Sequence, residues 1–202
     1  MNAGLSSLLA LKRHLLPASL LPGNDYDDLI LSLGLGVAAA FERACNRHFQ
    51  RVASDISIFS ADRDQYYLLR YPLEAVSKVE QKDSDLAGWI TLTGVVQNTD
   101  VSSGLVDFGG VMGARFSLLR LTFTGGYWWD DTEDGSGVLP AGAAVLPADL
   151  AMAWHLQCRY LWSSMDILGT GLADPKKAVM PEIKLLPGVE SALQPYRRFQ
   201  IT

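Results

Sequence analysis

The sequence holds two cysteines and three histidines in 202 residues, too few and too scattered for the common thiol and metal chemistries. Neither Cys45 nor Cys158 has a partner at metal-ligand spacing, so both read as buried thiols of a reducing cytoplasm, with no disulfide and no metal site expected. The sequence contains no glycine-rich phosphate loop, no dinucleotide fingerprint, no HExxH and no GxSxG. Acidic pairs such as Asp83 and Asp85 occur, but paired carboxylates are common on solvated loops and carry no specificity. His14, His48 and His155 lack an accompanying nucleophile motif. No catalytic residue and no cofactor is therefore assigned, and the chain reads as a non-enzyme. Long apolar runs are missing too, so no membrane span is expected. The short run Leu5 to Leu11 is followed, not preceded, by Lys12 and Arg13, the wrong order for a signal peptide. Basic excess is also absent. A formal charge of -5 argues against a general nucleic-acid binder, which needs a basic face to neutralise phosphates.

What is present is a chain 49% hydrophobic and 19% charged, able to bury a real core as one domain with appendages. Charge is uneven: eight acidic residues from Asp83 to Asp134 face only Arg115 and Arg120, while five basic residues face three acidic ones from Asp174 onward.

The organising stretch is Asn24 to Phe49, NDYDDLILSLGLGVAAAFERACNRHF. Asn24 or Asp25 can cap the first turn, and Asp27 and Asp28 complement the helix dipole. Tyr26, Ile30, Leu33, Val37, Phe41 and Ala44 recur at spacings of four and three, which predicts one buried helical face. Two internal glycines, Gly34 and Gly36, each cost roughly 1 kcal/mol relative to alanine. With Ala39 they offer a small-residue surface on which another helix, of this chain or a neighbouring subunit, can pack closely.

Leu5 to Leu16 predicts a short first helix stopped by Pro17. After Phe49 the period becomes alternating, and strands are expected at Ile56 to Phe59, Tyr66 to Leu69, Val76 to Val79, Trp89 to Thr93, Leu105 to Phe108 and Phe116 to Thr124. The loop GGYWWDDTEDGSG follows. In it Tyr127 and Trp128 either close the core or, with Trp129, anchor a partner. Its carboxylates lack the glycine and terminal glutamate of a calcium loop. Pro147 opens a further helix with the stripe Leu150, Trp154, Cys158, Leu161 and Met165. Beyond Gly169, four prolines predict an extended arm with a short turn of helix at Val189 to Leu193, and with Tyr196, Arg197, Arg198 and Phe199 as partner anchors.

The expected fold class is thus α+β: a helical core of two long helices plus a short N-terminal helix, with an inserted small antiparallel β-sheet and an extended C-terminal arm. The corresponding domain is 1–168, with helices at 5–16, 25–48 and 147–165 and a β-rich insertion at about 52–124; the arm is 169–202.

The order of these features resembles the head-tail connector (head-completion adaptor) proteins of tailed bacteriophages. The resemblance rests on DYDDLI, on FERACNRHF, on RYPLEAVSKVE, on LTFTGGYWW followed by LPADLAMAWHLQCRYLW, and on the closing LQPYRRF. Together these span about Asp25 to Phe199. It implies a structural subunit of the virion neck, made in the host cytoplasm. Such subunits form an oligomeric ring, typically a dodecamer, that binds the portal protein and extends the DNA channel. They then offer a platform to the next neck or tail-completion protein, and genomic DNA passes without specific binding. The alternatives are a stopper or tail-completion protein, and a carbohydrate- or peptide-binding module built on Trp89, Trp128 and Trp129.

Overall fold

The computed structural model describes residues 1–84, 86–114, 116–132, 134–165 and 182–198. The chain divides into two compact units, one formed by Met1–Arg47, Trp129–Pro140 and Val145–Thr202, the other by His48–Trp128 and Ala141–Ala144.

The first unit is helical. Helix α1 (Leu8–Leu15) is capped by Ser7, whose hydroxyl oxygen accepts from the Ala10 amide at 3.2 Å. Helix α2 (Asp27–Cys45) begins with Asp27 and Asp28 in its first turn, where the dipole favours them. Lys12 of α1 ties that end down: its ammonium pairs with Asp27 at 2.5 Å and donates to the Gly23 carbonyl at 2.7 Å. The helix stops at Cys45, short of the expected bound at 48, because Asn46 takes the left-handed conformation (φ 52°, ψ 46°), which asparagine tolerates better than most residues. Helices α3 (Ala148–Ser164) and α4 (Pro187–Leu193) complete the unit, and α3 packs against α1, α2 and α4. The core joins Leu11 of α1, Ile30, Leu33, Val37 and Phe41 of α2, Leu150, Trp154, Cys158 and Leu161 of α3, and Val189 and Leu193 of α4.

The second unit is built of strands. Its main sheet has the order β1-β7-β3-β4 and is antiparallel throughout, from β1 (Val52–Ser60), β7 (Leu118–Gly125), β3 (Leu73–Lys82) and β4 (Ile90–Leu92). A second sheet has the order β2-β6-β5, from β2 (Gln65–Tyr67), β6 (Leu105–Asp107) and β5 (Asn98–Asp100). A third pairs β8 (Tyr127–Trp128) with β9 (Ala144–Val145). Strand β7 alternates buried Leu119, Leu121 and Phe123 with half-buried Leu118, Arg120, Thr122 and Thr124, the period-two signature of a sheet with one face in the core. That core takes Tyr66, Leu68, Leu73, Val79, Val106 and Phe108 as well.

Gly126 (φ 97°) lets the chain turn out of β7 against Gln50: a Cβ there would stand 2.5 Å from the Gln50 carbonyl oxygen, too close for any side chain.

The mixed α+β class fits, but the expected architecture needs correction. Among the described residues the strands form three sheets, not one small insertion; segments such as Asn98–Asp100 are polar and show no apolar alternation to read. Among the described residues the helical part is a cluster of four α-helices in place of a core of two long ones with a short N-terminal helix. The C-terminal arm is not extended throughout, since Pro187–Leu193 is helical and buries Val189 and Leu193. This contains the short helical turn expected at Val189 to Leu193, begun two residues earlier with Pro187 at the first helical position, where its missing N–H costs nothing.

Candidate functional site

The helical unit presents surfaces whose origin lies in how α2 and α3 meet. Trp154 is fully buried, and its indole N–H donates to the Gly34 carbonyl at 3.2 Å. A Cβ at position 34 would lie 2.2 Å from the Ala3 carbonyl oxygen, 2.9 Å from Leu11 Cδ2 and 3.1 Å from Trp154 Cζ2. Gly34 therefore serves close packing within its own chain. Gly36 is half-buried and Ala39 is exposed, on the other side of α2 with Asp28, Ser32 and Leu35. Helix α3 is apolar on two sides: opposite its core stripe it exposes Met152, Leu156 and Tyr160.

The C-terminal residues are turned back on this unit. Tyr196 donates its hydroxyl to Asp149 at 2.6 Å, and the Arg198 amide donates to the Cys45 carbonyl at 2.9 Å. The Arg197 side chain is half-buried. Phe199 lies outside the described residues. Gln157, fully buried, reaches the segment before α4: its amide N–H donates to the Lys184 carbonyl at 3.0 Å and its oxygen accepts from the Leu186 amide at 2.9 Å. Burial pushes the Cys45 thiol up to about 11, against the pull of Arg47 and Arg197, and raises Cys158 further still. Neither thiol is a nucleophile at neutral pH. The His155 ring lies against that of His14, centroids 4.0 Å apart and tilted by 40°, and its pKa is lowered to about 4, first by burial and then by His14.

In the sheet unit the outer face of the four-stranded sheet carries a charged lattice. Glu80, buried, pairs with Lys78 and Arg120, each at 2.7 Å. Their hydrogen bonds, Lys78 first, hold its carboxyl below the usual range. The Arg120 guanidinium in turn lies over the Trp89 ring, 4.3 Å from its centroid. Trp89, one of the three tryptophans of the alternative binding-module reading, thus has an internal partner. Trp128 and Trp129 are both half-buried, one in each unit. In the loop after them Asp130 accepts from the Thr132 hydroxyl and amide and from the Gly137 amide. Asp134 likewise takes the Ser136 hydroxyl and amide. These hydroxyls hold both carboxyls below their ordinary range, and the acids build turns. Among the described residues no three His, Cys, Asp or Glu side chains gather as a metal site, and no helix is long and apolar enough to cross a membrane.

Sequence reasoning missed the Gln157 clamp and the His14–His155 contact, for which no local signal exists. It also passed over the second α3 stripe, which was visible as apolar residues four apart.

No family model matches the sequence, and no curated protein matches it either. The fold, however, is found in solved assemblies. A chain from the neck of an empty GTA particle, computed with C6 symmetry, superposes with a TM-score of 0.62 at 14% identity over 99% of this chain and 93% of that one. A chain from the virion of a native gene transfer agent (GTA) particle gives 0.61 at 16% identity over 100% and 94%. The chain has the fold of these particle components along its whole length.

Proposed function

We propose that this protein is a structural, non-enzymatic subunit of the neck of a tailed phage or phage-like particle. One observation carries the reading: the fold match covers essentially all of both chains and includes a chain of a particle neck. A whole-chain match of that kind, with both units included, is more demanding than sharing one common motif. The ordered sequence resemblance to the adaptor family supports the finer reading. In it, copies of the chain form a ring, as a dodecamer under the portal, extend the DNA channel and receive the next neck or tail-completion protein. The proposed partner contacts are Tyr196, Arg197, Arg198, Phe199, Trp128 and Trp129, and the acidic middle of the chain leaves DNA free to slide, since negative walls make no phosphate contacts.

The test is to mix the purified protein with isolated portal rings and image the product by electron microscopy. A new collar, absent from either component alone, is expected. Protein that leaves portal rings bare, or that gathers on tail tubes instead, overturns the adaptor reading.

A further inference from the structure

Met152, Leu156 and Tyr160 stand four residues apart on α3 and are 71%, 51% and 48% exposed. At about 100° per residue they lie across the helix from Trp154, the side chain that meets α2. Three large apolar side chains in one row are an unusual thing to leave in water. Helix α2 has an exposed face of another character: Ser32, Leu35 and Ala39, pointing away from the buried Ile30, Val37 and Phe41. One face is a row of large side chains, and the other sets the small Ser32 and Ala39 on either side of exposed Leu35, a surface of alternating height of the kind that ridge-into-groove packing uses.

Charge chooses the direction. Exposed Asp28 lies at the start of α2 and exposed Arg43 near its end, while α3 begins at exposed Asp149 and carries exposed Arg159 in its second half. Run antiparallel, with Leu35 and Ala39 opposite Leu156, the faces bring Arg43 toward Asp149 and the acidic start of α2 toward Arg159. Run parallel, they set Asp28 beside Asp149 and Arg43 beside Arg159. The antiparallel arrangement also opposes the two helix dipoles.

We infer that α3 of one copy of this chain packs antiparallel on the exposed face of α2 of the next copy. The two surfaces differ and lie on opposite sides of the α2–α3 pair. The contact is therefore head-to-tail, and its repetition generates a ring instead of ending at a pair. This deepens the neck reading and rests on it for the ring.

Two measurements keep the claims apart. Ala39→Cys and Leu156→Cys proteins, alone and mixed, are oxidised on portal rings; the native Cys45 and Cys158 are buried and serve as background. A cross-linked dimer is expected in the mixture only. A dimer from Leu156→Cys alone indicates two-fold pairing of α3 and overturns the contact, as does a mixture that stays uncross-linked. In parallel, Leu156→Asp and Met152→Asp are compared with the wild type for collar formation, with circular dichroism to confirm the fold. Folded variants that no longer form a collar are expected. A collar built as readily as by the wild type overturns the contact while leaving the neck reading intact, whereas a wild type that forms no collar defeats the neck reading itself.

Discussion

The indole nitrogen of Trp154 and the carbonyl oxygen of Gly34 meet at 3.2 Å across 120 residues of sequence. The indole reaches the backbone of α2 because position 34 has no side chain, and the same gap admits the Ala3 carbonyl and Leu11. A glycine that weakens α2 as an isolated helix thus fixes where α3 and the N-terminal segment sit on it.

Gly34→Ala sets two effects against each other. Helix propensity improves by about 1 kcal/mol, but the new carbon falls 2.2 Å from the Ala3 carbonyl oxygen, and overpacking against backbone costs toward the top of roughly 1–3 kcal/mol. A net loss of about 2 kcal/mol is expected, read as a lower urea midpoint at unchanged slope. A higher midpoint would show that the segment at Ala3 yields freely.

Gln157→Leu keeps the volume and removes both bonds to the segment before α4, leaving the Lys184 carbonyl and the Leu186 amide without their partner. Loss of about 2 kcal/mol is expected. Hydrogen exchange gives the sharper readout: the Leu186 amide should exchange faster, and an unchanged rate would mean that α4 is held without this clamp.

His155 predicts an acid sensitivity. Its pKa is lowered from 6.5 to about 4, so between those values the unfolded chain binds a proton that the folded chain refuses. Stability must then fall as pH drops from about 6.5 toward 4 and level off below. Protonation would place a charge beside Trp154 and against the His14 ring, with the Ala151 carbonyl as the group that favours it. His155→Gln should flatten the slope of stability against pH in that window. An identical slope would assign the effect to other groups.

The helices were legible because their faces are long and regular. The run Ile30, Leu33, Val37 and Phe41 announces a buried face, and Leu150, Trp154, Cys158 and Leu161 another. Strand β7 was equally plain, since Leu119, Leu121 and Phe123 alternate without interruption. What stayed hidden was decided at a distance. Strand β5 exists because Asn98–Asp100 finds Leu105–Asp107 to pair with, and its own side chains carry no trace of that. Helix α4 shows in the sequence as no more than a short turn at Val189 to Leu193; its packing on α3 and the burial of Val189 and Leu193 supply the rest, since tertiary burial, more than propensity, stabilises so short a helix. Tyr196 and Arg198 of the proline-rich tail, expected as partner anchors, also bond inside the helical unit, Tyr196 through its hydroxyl and Arg198 through its backbone amide. Nothing in the composition of that tail distinguishes a residue that docks on its own chain from one that docks on another.

The split of the chain into units also sets an order of birth. The sheet unit is nearly continuous, His48–Trp128 with Ala141–Ala144, so all its strands have been made once residue 145 leaves the ribosome. The helical unit cannot finish then, because α2, made early, awaits α3 and α4 from the far end. A chain emerging from the ribosome therefore carries the buried face of α2, Ile30 to Phe41, with only α1 and the N-terminal segment to cover it for more than a hundred residues of synthesis, and that interval is when the nascent protein is most open to aggregation.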